Sequence, residues 1–308
     1  MKEAQEMSLS FAGSGFNALY YVGVSAFLQK YSPHLLKGKI AGASSGALFA
    51  LALASGDISL EKMTRIVLML AYQASQNLLG PFNPTFKLHK LLVKIFEDNL
   101  SEDVAERVSG RLCISVTKVR NMKNELVSEF HSKADVIEAV CASAFIPGMS
   151  GWRLPKFRGK VVLDGGFTDN IPAVGHRDNT VTVSPFAGDT AICPEDKSSF
   201  LKPLRVFLSS GGSINVSRKN LVRFCKVPPN TEEMLEQCRQ GWSDARRFIV
   251  TESLVSCESC SEGEAAVNCE QCAVITEEAR TETLPVELVK IFEEVRDMEV
   301  SRKLTKIW

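Results

Sequence analysis

The chain has 308 residues, 36 basic and 36 acidic side chains, and a hydrophobic content of 45%. This length is sufficient for one large core, and the balanced charge gives no reason to expect a nucleic-acid partner. No segment reaches about 20 consecutive apolar residues, so the sequence predicts no transmembrane helix.

The location of the protein is inferred from its start and from its cysteines. Residues 2–6 hold more acid than base, and glycines interrupt the apolar stretch that follows, which is unlike a secretory signal. Nine cysteines in a chain without such a signal favour reduced thiols and a cytoplasmic protein.

The first predicted unit is a strand at 7–12, a glycine-rich turn and a helix at 17–29. A tetrahedral acyl intermediate needs amide donors, and a glycine-rich helix start provides them, so Gly13, Ser14 and Gly15 are candidates for an oxyanion hole. The same letters fit the dinucleotide pattern G-x-G-x-x-A. That pattern requires an acidic residue about 20 positions later, and none occurs between Glu6 and Asp57. The dinucleotide-binding interpretation is therefore rejected.

The second unit contains the pattern G-x-S-x-G, at Gly42-Ala43-Ser44-Ser45-Gly46. It lies between a short apolar run at 39–41 and a helical run at 47–51. A nucleophile elbow requires this context, with small residues such as Gly42 and Gly46 beside a sharply bent serine. Ser44 is the candidate nucleophile.

The general base is predicted to be a carboxylate. None of the four histidines lies in the last 132 residues, where an α/β-hydrolase would place its catalytic histidine; they are His34, His89, His131 and His176. Asp164 ends an apolar run, is followed by Gly165 and Gly166, and is expected at the carboxyl end of a buried parallel strand. An ordinary Asp-Gly turn is the alternative. Together with the elbow, the position favours Asp164 as the base.

These motifs, in this order, resemble the patatin-like phospholipases, and within them the adipose triglyceride lipase group. The resemblance covers roughly 7–250 and is carried by the elbow and by the segments 11–16, 20–24, 164–172, 181–186 and 192–194. It implies an α/β fold, a three-layer sandwich with a mostly parallel central sheet and helices on both faces. It also implies a Ser44–Asp164 dyad without histidine, an oxyanion hole at Gly13–Gly15, and no cofactor for catalysis.

The same resemblance implies a substrate and a setting. We expect hydrolysis of long-chain acylglycerols, triacylglycerol above all, with acyl transfer to another acylglycerol as a second outcome. The protein is expected at the surface of lipid droplets or membranes, with an activating partner protein. Phospholipase A-type hydrolysis is one alternative. A catalytically weak lipid-binding scaffold is another, because Ala18 stands where the family's turn usually has glycine.

Other elements follow from periodicity. Strands at 112–119 and 125–130 are predicted to form a hairpin, and Asn230 is predicted to cap a helix with Glu233 three residues on. The segment 148–157, with its apolar residues Met149, Trp152 and Leu154, either forms a lip that guides acyl chains or packs on the core. Both interpretations remain open.

The carboxyl-terminal part differs from the rest. Residues 251–308 carry 13 acidic and 6 basic side chains, which predicts an acyl hydrolase domain at 7–250 and an acidic appendage with a terminal amphipathic helix at 251–308. The appendage contains two C-x-x-C units, separated by eight residues: Cys257, Cys260, Cys269 and Cys272. One interpretation is a structural zinc site, which four thiolates in paired C-x-x-C units can form. The alternative is a set of cysteines in a flexible acidic loop that bind no metal.

Overall fold

A mixed seven-stranded sheet lies at the centre of the computed structural model, which describes residues 7–76, 79–175, 179–195, 205–207, 213–215, 228–257 and 269–300. The strands are β1 (Ser8–Phe11), β2 (Ile40–Gly42), β3 (Leu112–Lys118), β4 (Lys123–Val127), β5 (Lys156–Phe157), β6 (Lys160–Asp164) and β7 (Thr180–Val183). Their order is β5-β6-β3-β2-β1-β7, with β4 paired to β3. A separate ribbon is formed by β8 (Arg205–Phe207) and β9 (Ser213–Asn215).

Helices surround this sheet. They are α1 (Leu19–Tyr31), α2 (Ser45–Ser55), α3 (Leu60–Ser75), α4 (Leu88–Asn99), α5 (Val104–Val108), α6 (Lys133–Ser143), α7 (Thr231–Thr251), α8 (Glu270–Thr281) and α9 (Val286–Val300). A short 3-10 turn at Gly15–Ala18 precedes α1, so the first α-helix begins two residues later than predicted.

Four neighbouring strands of the sheet, β3, β2, β1 and β7, are parallel. β1 pairs in parallel with β2 and β7, and β2 pairs in parallel with β3. β1 is buried along its whole length, as expected for a parallel strand covered on both faces. The predicted α/β class, a mostly parallel central sheet layered with helices, is confirmed.

Two local predictions are also confirmed. β3 and β4 form the antiparallel hairpin. Asn230 caps α7, since its side chain accepts from the N–H of Glu233 while the Glu233 carboxylate accepts from the N–H of Asn230. This reciprocal capping box satisfies two donors at the helix start.

One prediction about strand direction is wrong. β6 runs antiparallel to β3, with Asp164 opposite Val116, so Asp164 does not end a parallel strand. A short apolar run predicts a buried strand but carries no information about its direction, because both directions bury the same side chains.

α1 and α7 pack unusually closely, because two glycines lie at their contact. A Cβ on Gly23 would lie 1.9 Å from the backbone oxygen of Cys238, and one on Gly241 would lie 2.0 Å from that of Tyr20. Beside this contact, the Trp242 ring packs edge-on against Phe27. The amino-terminal half of the chain is thereby tied to α7.

The terminal helix α9 belongs to the same apolar core as the sheet. Its apolar face packs against α3 and α7 and consists of Leu288, Ile291, Phe292 and Val295, each at most 5% exposed. The charge boundary near residue 250 is therefore not accompanied by a separate core. Within the described residues, no helix is both long and apolar enough to cross a bilayer.

Candidate active site

The G-x-S-x-G segment forms a strained turn between β2 and α2. Ser44 has φ 55° and ψ −130°, a backbone conformation that costs a residue with a side chain on the order of 1–3 kcal/mol. The turn closes because Gly42 and Gly46 touch: a Cβ on Gly42 would lie 2.4 Å from the carbonyl carbon of Gly46. Strand, turn and helix thus have the form predicted for a nucleophile elbow.

Asp164 reaches Ser44 because two strands meet end to end along β3. Gly42 of β2 pairs with Ile114, and Asp164 of β6 pairs with Val116, two positions further on. β4 occupies the other side of β3 at both positions, so β2 and β6 lie on the same side. Since they run in opposite directions, their carboxyl ends converge.

Burial determines the protonation behaviour of Asp164, which is 4% exposed. Burial raises the pKa of its carboxyl group to about 6, and contacts from the Ser44 hydroxyl and the Gly166 N–H offset part of that rise. The Gly166 N–H donates to Oδ1 at 2.7 Å. Asp164 is therefore largely ionised at neutral pH and remains basic enough to accept a proton.

The second oxygen of Asp164 remains available. Oδ2 is buried and has no hydrogen-bond partner among the described residues. The Ser44 hydroxyl is close enough to lower the pKa of this carboxyl group, but it forms no hydrogen bond to Oδ2. Such loose geometry is common in unliganded sites and tightens when substrate binds.

A serine on α6 holds the elbow in place, and sequence analysis did not identify it. The Ser44 N–H donates to Ser143 Oγ at 3.0 Å, and the Ser143 hydroxyl donates to the carbonyl of Ser115 on β3 at 2.7 Å. Ser143 is fully buried. In the sequence, Ser143 is a single serine within a helical segment, and nothing in that pattern indicates that it binds the Ser44 N–H.

The glycine-rich turn lies against the elbow, and two of its three amides have acceptors. The Gly13 N–H donates to Asn170 Oδ1 at 3.1 Å, and the Ser14 N–H donates to Ser45 Oγ at 2.9 Å. The Gly15 N–H has no hydrogen-bond acceptor within the part of the chain that the structure describes. Gly15 has φ 57°, which favours glycine.

Asn170 connects the two glycine-rich segments of the site. It follows the Asp164-Gly165-Gly166 turn and binds Gly13 through Oδ1, while its Nδ2 donates weakly to the Gly13 carbonyl at 3.4 Å. A Cβ on Gly13 would lie 2.5 Å from Asn170 Oδ1 and 2.8 Å from Ser44 Cβ. Gly13 therefore brings the turn, the elbow and the Asp164 segment into contact.

Ala18, the departure from the family pattern, lies at φ −68° in a helical conformation. An alanine adopts this conformation without strain. The position does not require glycine for its backbone, so the substitution leaves the turn intact.

A polar chain links α7 to the glycine-rich turn. Gln237 Nε2 donates to Asn17 Oδ1 at 2.8 Å, and Asn17 Nδ2 donates to the Ser14 carbonyl at 3.1 Å. Gln237 and Asn17 are buried. Sequence analysis missed this link because the two residues are 220 positions apart.

An apolar pocket of about 710 Å³, including its open mouth, begins at Ser44 and Gly15. Its walls come from the buried faces of α2, α3 and α4, represented by Leu48, Met63, Val67, Leu70, Leu92 and Phe96. None of the described residues that line it carries a charged side chain, so the pocket suits a hydrocarbon chain. Its position places such a chain beside the Ser44 hydroxyl.

Residues of the segment 148–157 differ in burial, and one of them lines the pocket. Met149 is buried and lines the pocket, whereas the Trp152 ring is 79% exposed. Leu154 is half-buried. Phe167, just after the Asp164 turn, is also exposed, at 54%.

None of the described histidines lines this pocket or hydrogen-bonds to Ser44. His34 contacts Ser256, and His89 packs edge-on against Phe145. His176 lies outside the described residues.

Three of the four predicted metal ligands lie together, outside this site. The Sγ atoms of Cys257, Cys269 and Cys272 are all within 4.8 Å of one another. Cys260 lies outside the described residues.

A serine on a strained strand-to-helix turn, beside a buried carboxylate and an apolar pocket, is an arrangement suited to acyl hydrolases. Residues 9–175 match the family model described as patatin-like phospholipase. The chain therefore belongs to the patatin-like phospholipase family.

Three relatives illustrate this similarity. Human patatin-like phospholipase domain-containing protein 2 is 38% identical over 81% of this chain and 49% of its own length. Human 1-acylglycerol-3-phosphate O-acyltransferase PNPLA3 is 39% identical over 79% of this chain and 50% of its own length. The mouse protein of the same name is 34% identical over 95% of this chain and 74% of its own length. The chain thus spans about half the length of the two human relatives.

Proposed function

We propose that residues 7–250 form an acyl hydrolase domain that cleaves long-chain acylglycerol esters, with triacylglycerol as the main substrate. One observation carries this proposal. Ser44 faces a buried, basic carboxylate on one side and opens into an uncharged apolar pocket on the other. The site therefore offers a nucleophile with a base for the ester carbonyl, and next to it an apolar space for the attached acyl chain.

The proposed mechanism begins with proton transfer from Ser44 Oγ to Asp164 as the oxygen attacks the ester carbonyl. The Gly15 N–H stabilises the oxyanion directly. Gly13 and Ser14 contribute only if their present acceptors, Asn170 and Ser45, release their amides. One oxyanion donor is worth on the order of 10²–10³ in rate.

Three further proton transfers complete the cycle. Asp164 returns its proton to the departing alcohol oxygen, which leaves an acyl group on Ser44. Water then attacks the acyl-enzyme and gives its proton to Asp164, which passes it to Ser44 as the fatty acid leaves. All these steps use side chains and backbone amides, so the proposal includes no cofactor for catalysis.

Acyl transfer is the second outcome of the same site. If the hydroxyl group of an acylglycerol replaces water, the acyl group moves to that acceptor and a new ester forms. Two of the similar proteins are named as O-acyltransferases, which supports this branch. The balance between the branches depends on how well water is excluded while the acyl-enzyme exists.

We further propose that the protein works at the surface of lipid droplets or membranes, with an activating partner protein. The exposed rings of Trp152 and Phe167 each lie three residues beyond a site residue, Met149 and Asp164 respectively. Aromatic side chains in such positions insert readily at a lipid–water boundary. They support surface binding, while the partner rests on the family resemblance.

The test compares long-chain triacylglycerol emulsions with phospholipid vesicles as substrates, with and without an added acylglycerol acceptor. Ser44→Ala and Asp164→Asn are each expected to lose at least about 10³-fold of the activity. Ser25→Ala is the matched control, because Ser25 is a buried serine whose hydroxyl has no hydrogen-bond partner among the described residues.

The outcomes separate the candidates. Preference for vesicles would identify a phospholipase A-type enzyme instead. Activity that survives both substitutions would exclude the dyad. An inactive wild type that binds vesicles, even with cell extract as a source of activator, would identify a lipid-binding scaffold.

A further inference from the structure

The second candidate site of this protein is a cluster of three cysteine thiols between the end of α7 and the start of α8. Cys257 follows α7, Cys269 occupies the N-cap position of α8, and Cys272 lies in the first turn of α8. Their three Sγ atoms lie within 4.8 Å of one another, and those of Cys257 and Cys269 are 3.6 Å apart. The fold therefore brings together thiols that are 12 positions apart in the chain.

These distances match a metal-thiolate site better than a disulfide. A disulfide requires sulfur atoms about 2.05 Å apart. Zinc binds thiolates at about 2.3 Å, so two sulfurs at a tetrahedral zinc are about 3.8 Å apart. The separation of 3.6 Å between Cys257 and Cys269 is close to this value. Cys257 and Cys272 are also buried, which shields a metal-thiolate unit from water.

The cluster lies on a well-anchored part of the chain. The backbone N–H of Ser256, next to Cys257, donates to the Tyr31 carbonyl at 3.0 Å, and the Ser256 hydroxyl contacts His34 at 3.0 Å. On the other side, α8 is held to α1 because Lys30 pairs with both Glu278 and Glu282. Both halves of the thiol cluster are thus positioned by contacts that do not involve the thiols.

We propose that Cys257, Cys269 and Cys272 bind one structural zinc ion. Thiolate sulfur selects zinc over magnesium or calcium, which prefer oxygen ligands. On binding, each thiol releases its proton to solvent and donates a sulfur lone pair to the metal, and no oxidant or reductant is required. The zinc joins the segment after α7 to the start of α8.

Zinc takes four ligands, and the described cluster supplies three. Cys260 stands in the same C-x-x-C unit as Cys257, but it lies outside the described residues. The experiment therefore has to count the thiolates.

The test measures zinc by mass spectrometry in the full chain, purified under reducing conditions without chelator. We expect about one zinc per chain, and its loss in Cys257→Ser and Cys269→Ser. Exchange of zinc for cobalt gives a thiolate-to-metal absorption band whose intensity reports the number of sulfur ligands. The Cys260→Ser variant lowers that intensity if Cys260 is the fourth ligand, and leaves it unchanged if another group is.

Cys193→Ser is the matched control. Its thiol contacts the carbonyls of Gly188 and Thr190, contacts that a hydroxyl also makes, and it is not part of the cluster. It should retain the zinc. Removing the metal with a chelator should lower the melting temperature of the wild type and the control but not that of Cys257→Ser.

Two results would overturn the proposal. One is a wild-type chain that, although folded and fully reduced, takes up neither zinc nor cobalt. The other is a metal content that is the same in Cys257→Ser and Cys269→Ser as in the wild type. Because metal is measured directly, neither result depends on lipid hydrolysis.

Discussion

Ser44 lies just beyond the end of β2 and Asp164 lies at the end of β6, and these two strands run toward each other along the same side of β3. β2 ends at Gly42, opposite Ile114, and β6 ends at Asp164, opposite Val116. The hairpin partner β4 covers the other side of β3 at the same two positions. The separation of the proposed nucleophile and base is therefore set by a two-residue step along one strand, on a rigid part of the sheet.

The raised pKa of Asp164 predicts the pH dependence of hydrolysis. In the proposed mechanism only the ionised carboxylate of Asp164 accepts the Ser44 proton, and the pKa of this carboxyl group is about 6. We expect kcat/KM to be constant above pH 7 and to fall about tenfold per pH unit well below 6. The measurement uses a soluble short-chain ester, so that pH does not alter a lipid surface. If kcat/KM instead falls only around pH 4, the Asp164 carboxyl group is not desolvated in the working enzyme.

The same pKa predicts a stability cost at the site. Asp164 titrates near 6 in the folded chain and near 3.8 ordinarily, so folding favours its protonated form. The stability that comes from this preference for the protonated form is fully present below about pH 3.8 and is lost as pH rises through 6. At pH 8 the buried charge then costs on the order of 3 kcal/mol.

Asp164→Asn should therefore raise the free energy of unfolding at pH 8 and give a smaller gain at pH 5. The measurement is urea denaturation of both proteins at both pH values. Asp103→Asn, at an exposed aspartate, is the control and should show no such gain. An equal difference at pH 5 and pH 8 would contradict a titrating Asp164.

The length of the apolar pocket should determine which acyl chains are cleaved. Leu92 on α4 is buried and lines the pocket, so Leu92→Trp adds a bulky ring to the space that an acyl chain needs. We expect at least a tenfold loss on long-chain esters and little loss on short-chain esters, because an overfilled site costs about 1–3 kcal/mol. Rates across a series of chain lengths test this.

The neighbouring Leu91 supplies the control for that series. It is only half-buried and does not line the pocket. Leu91→Trp should leave the chain-length profile unchanged. If both variants lose activity equally at every length, the pocket does not hold the acyl chain.

Gln237 is expected to act as a positioning residue for the oxyanion turn. Gln237→Leu removes the hydrogen bond that Gln237 Nε2 donates to Asn17 Oδ1, and we expect it to weaken the hydrogen bond from Asn17 Nδ2 to the Ser14 carbonyl. A buried group that loses its partner costs about 1–3 kcal/mol, so we expect kcat to fall about tenfold with KM nearly unchanged. Steady-state kinetics separate the two constants.

Gln240→Leu is the control on the same helix. Gln240 donates to Asp244 Oδ1 at 2.9 Å, and no hydrogen bond joins it to the glycine-rich turn within the described residues. It should keep kcat within about twofold of the wild type. A rise in KM alone for Gln237→Leu would indicate that α7 affects lipid binding rather than the oxyanion.

Trp152 is expected to contribute to binding at lipid surfaces and not to the rate of ester cleavage. Trp152→Ala removes an exposed ring close to the pocket-lining Met149, so binding to vesicles should weaken several-fold. Hydrolysis of a soluble ester should stay the same. The control is Val274→Ala, which removes an exposed apolar side chain from α8. Equal losses in both variants would argue against a defined lipid-binding face.

The sequence by itself determined the parts of the site that rest on local backbone geometry. A serine between two glycines, after a strand and before a helix, predicts the elbow, because few residues tolerate the contact between Gly42 and Gly46. Because no histidine is suitably placed, the sequence favours the carboxylate of Asp164 as the base. The three motifs, in this order along the chain, indicate the family. The elbow signal is local, since it depends on residues within a few positions of one another.

Only the tertiary structure decided which groups meet. It showed that β6 is antiparallel, that Asn170 and Ser45 accept from two of the predicted oxyanion amides, and that Ser143 and Gln237 support the site. It also brought Cys257 against Cys269. The physical reason is that strand direction and long-range hydrogen bonds depend on how distant segments pack, which periodicity and spacing along the chain do not encode.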